Sequence, residues 1–166
     1  KPGIMIVKAN GYTESDYVAA MNGKQNGIMM ATEFIEGAKG VEISDDFKAA
    51  CGEAMNGHSA EAFTVVYTIA EAVNNIAARG EEVTREALKE ELEAISIKEK
   101  FYDGTEIIMP YDIVEFCELT NVMGTDYLHT NMAGCLTVAQ YQDGKLWAVY
   151  PESSAQKDVI YPAPFN

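Results

Sequence analysis

The sequence predicts an α/β fold in which a sheet is covered on both faces. Three observations lead there. The 166 residues, 48% of them hydrophobic, make one ordinary domain with enough apolar side chains for a sizeable core. Short apolar runs at 3–7 and 27–35 alternate with segments of helical period between 13 and 95. Near the C-terminus, QYQDGKLWAVYP (residues 140–151) reads as a hairpin around Asp143-Gly144, the strongest short-range hairpin signal.

The hairpin also speaks about layers. A two-residue turn pairs Gln142 with Lys145, Tyr141 with Leu146, Gln140 with Trp147, Ala139 with Ala148 and Val138 with Val149. One face then carries Val138, Gln140, Trp147 and Val149, and the other Tyr141, Leu146 and two alanines. Away from the tip both faces are apolar, whereas a half-solvated antiparallel ribbon alternates apolar with polar. Helices on each side are the expected cover.

The elements follow in order. Residues 3–7 (GIMIV) read as a buried strand, and 8–12 (KANGY) as the polar loop after its carboxyl end. Thr13 with Asp16 has the form of a capping box for a short helix to about Met21, which Asn22-Gly23 ends. Residues 27–35 (GIMMATEFI) are the second strand. Ser44 or Asp45 is placed to cap a helix that buries Phe47, Ala50, Cys51 and Ala54 and stops at Asn56-Gly57. Ser59 opens a longer helix with the stripe Phe63, Val66, Tyr67, Ala70 and Val73, closed by Arg79-Gly80. Thr84 caps a fourth helix with Ala87, Leu88, Leu92 and Ile95 on its buried face. From 101 to 150 the chain is rich in strands and turns, with a polar loop through Asn131 before the hairpin. The tail 151–166 is irregular and proline-punctuated, and is expected to lie across a surface.

Charge and composition narrow the function. A net charge of −14, from 26 acids against 12 bases, argues against nucleic acid or an anionic membrane surface as partner and reads as solubility. No apolar run approaches the length of a membrane span. Cys51, Cys117 and Cys135 form an odd, widely spaced set without zinc spacing; buried free thiols are expected, a single disulfide being the alternative. There is no Gly-x-Ser-x-Gly elbow, phosphate-binding glycine loop or His-Glu-x-x-His, so no catalytic residue, cofactor or metal site is expected. His58 reads first as a loop residue beside a helix cap, and His129 in DYLHTN lacks convergent metal ligands. The opening Lys1-Pro2 lacks a signal-peptide pattern, and the expectation is that a leader was removed or that the chain is a fragment.

The loop 8–12 is the most suggestive feature. It follows a strand's carboxyl end, where open α/β sheets place ligands. Asn10 offers an amide, Gly11 close backbone approach and Tyr12 an aromatic ring. A plain strand-to-helix connection accounts for the local pattern equally well.

Taken together, several stretches resemble the C-terminal half of the type I periplasmic solute-binding proteins that serve branched-chain amino acid transporters of the ATP-binding-cassette (ABC) class. They are NGIMMATEF, FKAACGEAMNGHSAEAFTVVYTIAEAV, VTREALKEELEAI, PYDIVEF and TNMAGCLTVAQYQDGKLWAVYP, and they cover nearly the whole chain. The specificity lies in their order and spacing. The resemblance implies a periplasmic-binding-protein-like fold of type I, with two Rossmann-like αβα lobes and a ligand clamped between them. It places about 1–35 and 132–150 in the second lobe, about 41–131 in the first, and 151–166 in a surface tail. The chain would then hold parts of both lobes, with a missing N-terminal half or a second copy completing them.

The resemblance also implies a role. The protein would be the extracytoplasmic component of an ABC importer, periplasmic or tethered as a lipoprotein, docking on a membrane permease. It would bind a branched-chain amino acid, an amide or urea-like compound, or a carboxylate. Asn10 falls where leucine-binding relatives carry a glutamate for the substrate ammonium, and Glu14, four residues on, would substitute for it with the loop displaced. His58, Ser59 and Phe63 lie where the family brings another side chain to the cleft. A ligand-sensing domain of a regulator or receptor with the same fold is the first alternative. A small α/β hydrolase using Cys117 or His129 is the second.

Overall fold

The computed structural model describes residues 3, 5–7, 10–120, 124 and 126–163, and leaves the side chains at 5, 10, 15, 118–120, 126–128 and 153 outside the description. The chain divides into two compact units, one of Lys1–Ala60 with Leu136–Asn166 and one of Glu61–Cys135. Residues 41–60 thus belong with the first unit, whereas the lobe division expected from the sequence groups 41–131 together.

The first unit is built on a four-stranded sheet. Strand β1 (Met5–Val7) runs parallel to β2 (Ile28–Thr32), which pairs antiparallel with β6 (Thr137–Gln142), and β6 pairs with β7 (Lys145–Tyr150). The Asp143-Gly144 hairpin forms as expected. Both turn residues are left-handed, at φ 54° and 79°, which matches the twist of the flanking strands. The register follows the sequence reading from Gln142 opposite Lys145 to Ala139 opposite Ala148. It then shifts, so that Val138 faces Tyr150 and not Val149.

Both faces of β6 are covered, but not by the same kind of element. On one face Ile28, Met30, Ala139, Tyr141 and Ala148 form a core against Tyr17, Val18 and Met21 of helix α1 (Ser15–Met21). On the other, the C-terminal tail takes the place of the expected helix. The Gln140 side chain donates to Ile160 O (3.0 Å) and accepts from Ile160 N (2.8 Å), as a neighbouring strand would. Gln142 donates to Asp158 O (2.8 Å), and Lys157 stands 4.3 Å above the Trp147 ring. Gln140 and Gln142 are buried because the tail satisfies their amides.

Several boundaries differ from the sequence reading. Thr13 ends a 3-10 turn (Asn10–Thr13), and Glu14 rather than Thr13 holds the N-cap position of α1. Helix α2 (Val41–Cys51) starts a turn before Ser44, whose N–H donates to Gly40 O (3.0 Å). It stops at Gly52, left-handed at φ 79°. The face expected to be buried is covered only near its start. Ser44 is the buried residue, Phe47 is half-buried, and Ala50, Cys51 and Ala54 are exposed. Cys51 is therefore not the buried thiol expected; Cys135 is exposed too, Cys117 is half-buried, and all three are free.

The second unit contains most of α3 (Gly57–Ala78), then α4 (Arg85–Ala94) and the antiparallel sheet of β3 (Ser96–Lys98), β4 (Ile113–Thr120) and β5 (Asp126–Asn131). Thr84 caps α4 as expected, accepting the Ala87 N–H at 3.1 Å. The buried line of α3 runs through Thr64, Thr68, Ala72 and Ile76, one position from the expected stripe. The Thr68 hydroxyl satisfies itself on Thr64 O (2.8 Å). Val66, placed in the stripe by the sequence, is 63% exposed. Residues 126–131, read as loop, form a strand, with His129 left-handed at φ 54°. Ile107, Ile108 and Met109 are buried without belonging to a strand.

Candidate functional site

A cleft of about 550 Å³ opens in the first unit. Its lining comes from four places in the sequence. Thr13, Glu14 and Val18 belong to the start of α1, Phe34, Ile35 and Glu36 follow β2, and 52–57 join α2 to α3. Tyr141 and 144–147 of the hairpin complete it. Parallel strands β1 and β2 both send their carboxyl-end segments toward this lining, consistent with the general position of ligands in α/β sheets.

The connection into α3 is rigidly built. Asn56 Oδ1 accepts the Ser59 N–H (3.0 Å) and Ser59 Oγ accepts the Asn56 N–H (2.8 Å). This is a reciprocal capping box with serine at its third helical position. The helix therefore opens at Asn56-Gly57 and not at Ser59. The Asn56 amide nitrogen reaches toward Glu14 Oε1 at 3.5 Å.

The residues singled out from the sequence fall in different surroundings. The backbone of Asn10 begins the 3-10 turn, and its side chain lies outside the described residues. Gly11 is exposed, and a Cβ there would meet nothing within 4 Å. Tyr12 is packed, its ring edge-on to Tyr17 at 4.9 Å and its carbonyl accepting the Tyr141 hydroxyl at 2.6 Å. Glu14 is exposed and lines the cleft. His58 is exposed in the first turn of α3, and the Ser59 hydroxyl is engaged in the cap. Phe63 belongs to the second unit, where it stacks on Tyr67, which in turn meets Phe101. Sequence reasoning missed Asn56, Glu36, Lys145 and Trp147. The position of Glu36 beyond a parallel strand's carboxyl end was a usable signal; the hairpin residues carried none.

Electrostatics at the floor of the cleft are set by burial. The Tyr141 phenol is pushed up to about 12, first because its phenolate would be desolvated and then by neighbouring Tyr17. Tyr17 itself is raised by burial and by Tyr12. Both rings stay neutral donors through the physiological range.

The second unit holds an apolar groove of about 570 Å³ lined by Val65, Ile69, Leu88, Leu92, Val114 and Phe116, among others. At its rim Glu93 bonds Lys89 (2.7 Å) and stands 3.6 Å from His129 Nδ1. Among the described residues no group of three or more His, Cys, Asp or Glu could hold a metal ion, and no helix is long and apolar enough to cross a membrane.

No protein-family model and no curated protein matches the sequence. Solved structures do match. A protein of Silicibacter pomeroyi assigned as a branched-chain amino acid ABC transporter superposes over 97% of this chain and 40% of its own, with TM-score 0.65 and 12% identity. A protein of Rhodospirillum rubrum with the same assignment covers 88% of this chain and 37% of its own, with TM-score 0.55 and 17% identity. The chain spans about two fifths of the length of these proteins, and its mixed α/β fold is that of the matching part of them.

Proposed function

We propose that the chain is part of the extracytoplasmic solute-binding component of an ABC importer. The observation that carries this reading is the structural match over 97% of the chain to a protein assigned to that transporter class. The solute is a small polar metabolite: a branched-chain amino acid, an amide or urea-like compound, or a carboxylate. It is held between two αβα lobes by closure, without covalent chemistry. Residues 1–35 and 132–150 contribute to one lobe and 41–131 to the other. A membrane permease receives the loaded protein. Asn10, Gly11, Tyr12, Glu14, His58, Ser59 and Phe63 are the proposed contacts, and Glu14 in its cleft supports the first group.

The exposed apolar residues of α3, Val65, Val66 and Ile69, support a further element of the reading. The lobes are completed by an N-terminal half of the same protein or by a second copy. Thermal-shift and calorimetric screening against amino acids, amides and small carboxylates tests the function. A true solute at a hundred times its dissociation constant adds about 2.7 kcal/mol of stability. A panel that leaves melting unchanged throughout would remove the solute-binding reading.

A further inference from the structure

Strand β7 ends the four-stranded sheet, so one side of its backbone has no strand beside it. The hairpin fixes which residues face that side. Gln142 and Lys145 close a two-residue turn as a hydrogen-bonded pair, and antiparallel pairs alternate between bonded and non-bonded positions. Leu146 and Ala148 therefore aim their N–H and C=O groups off the free edge. Tyr141, opposite Leu146, fits this phase: its carbonyl turns the other way and accepts the Gly27 N–H at 2.8 Å.

The C-terminal tail closes the edge at Ala148. The Gln156 N–H donates to Ala148 O (2.8 Å), and Gln156 Oε1 accepts the Ala148 N–H (3.0 Å). A neighbouring strand would make this pair with its main chain. Here a single glutamine supplies the donor from its backbone and the acceptor from its side chain. The Lys157 N–H adds a longer bond to Ala148 O (3.2 Å), and Gln156 Nε2 reaches Glu36 O (3.4 Å). Among the described residues none bonds the outward groups of Leu146.

An open strand edge is a template for another strand. Residues 145–150 read KLWAVY, rich in aromatic and branched side chains, with one charge at the start and no proline. Two copies of β7 paired antiparallel about Trp147 set Leu146 against Ala148 on both sides, which satisfies every outward group of these residues. Trp147 then faces Trp147 and Lys145 faces Val149, so no like charges meet. Such a contact is two-fold and closes on itself.

We infer that the C-terminal tail guards the β7 edge through Gln156, and that an edge released from Gln156 takes up β7 of a second copy.

Hydrogen exchange at the Leu146 and Ala148 amides, followed over a concentration series with sedimentation alongside, tests this. Both amides lie in β7, so they report this edge and not the exposed face of α3. In the parent, Ala148 is protected and Leu146 exchanges freely at every concentration. Gln156→Pro removes the N–H and the side-chain acceptor together. Ala155 before it already has the extended backbone that suits a following proline, at φ −66° and ψ 130°. In this variant Ala148 loses protection at low concentration. At high concentration a dimer forms, and both amides exchange at least about tenfold more slowly than in the dilute variant. Gln156→Ala keeps the main-chain bond and gives the same trend at smaller amplitude, which covers the case in which proline lowers the melting temperature. Leu146→Pro added to Gln156→Pro costs no bond of the sheet, because the N–H it removes faces outward. It abolishes the concentration dependence at Ala148. Unchanged Ala148 protection in both Gln156 variants overturns the inference, since other contacts would then close the edge. Ala148 exposed at every concentration with Leu146 as free as in the parent overturns it as well, and so does a dimer that survives Leu146→Pro.

Discussion

In the first unit, β6 buries five of its six residues, and segments far apart in sequence supply the cover: α1 near one end of the chain and the tail 156–163 at the other. In the second unit, α3 is apolar around much of its circumference, yet only one line of it is buried. Val65, Val66 and Ile69 stand 56%, 63% and 40% exposed. A helix that is hydrophobic on more than one face is ordinarily packed on more than one face. The strand β6 finds its cover within its own unit, whereas α3 presents an apolar face that its own unit leaves open. The contrast is between a strand covered by segments distant in sequence and a helix whose apolar side chains stand exposed.

The largest effect tests the closed side. Met30 is 1% exposed in β2, at the centre of the core that includes Tyr141. Met30→Ala should cost about 2–5 kcal/mol, the transfer loss plus the cavity left behind. Urea denaturation measures it, and a loss below about 1 kcal/mol would mean that the core is not close-packed.

The next effect uses pH. The folded Tyr141 phenol sits at about 12 against an ordinary 10.0, so the unfolded chain ionises first as pH rises. Its contribution is intact below pH 10.0 and is lost as pH climbs toward about 12. About 2–3 kcal/mol is at stake over that window. Tyr141→Phe should cost about 1 kcal/mol at neutral pH, through the lost bond to Tyr12 O, and flatten the alkaline limb. An alkaline limb as steep in the variant as in the parent would assign it to other groups.

The C-terminal tail over β6 comes third. Gln140→Leu keeps volume but leaves the Ile160 N–H and C=O without their side-chain partner, at about 1–3 kcal/mol. Hydrogen exchange at Ile160 should accelerate, and limited proteolysis should cut within 156–163. Unchanged protection would show that Gln142, Trp147 and Lys157 hold the tail without Gln140.

The sequence disclosed those parts whose causes are local. The Asp143-Gly144 turn, the Thr84 cap and the Asn22-Gly23 stop depend on neighbours within a few residues, and each formed where expected. The start of α2 did not, because Ser44 has a capping side chain but Gly40, four residues earlier, takes the N-cap position. The covering of β6 was legible as a need for two apolar faces. What covers the second face was not, since Gln140 reads as an exposed polar residue until the tail arrives 20 residues later. At the cleft, Glu14 was within reach of sequence reasoning, whereas Asn56 acquired its place only through a contact 42 residues away.

The smallest effect is the sharpest test of the open side. Valine and serine have similar helix propensity, so Val66→Ser isolates the environment of the side chain. At 63% exposure the substitution should change the stability of this chain by no more than about 0.5 kcal/mol. In the longer protein proposed above, a cover over α3 would bury the new hydroxyl, and the cost should rise to about 1–3 kcal/mol. If a second copy provides the cover, the cost should instead grow with protein concentration, and sedimentation should show the variant dissociating first. An equally small effect in every setting would mean that the exposed face of α3 is solvated in the working protein, and the contrast between the two units would then concern composition alone.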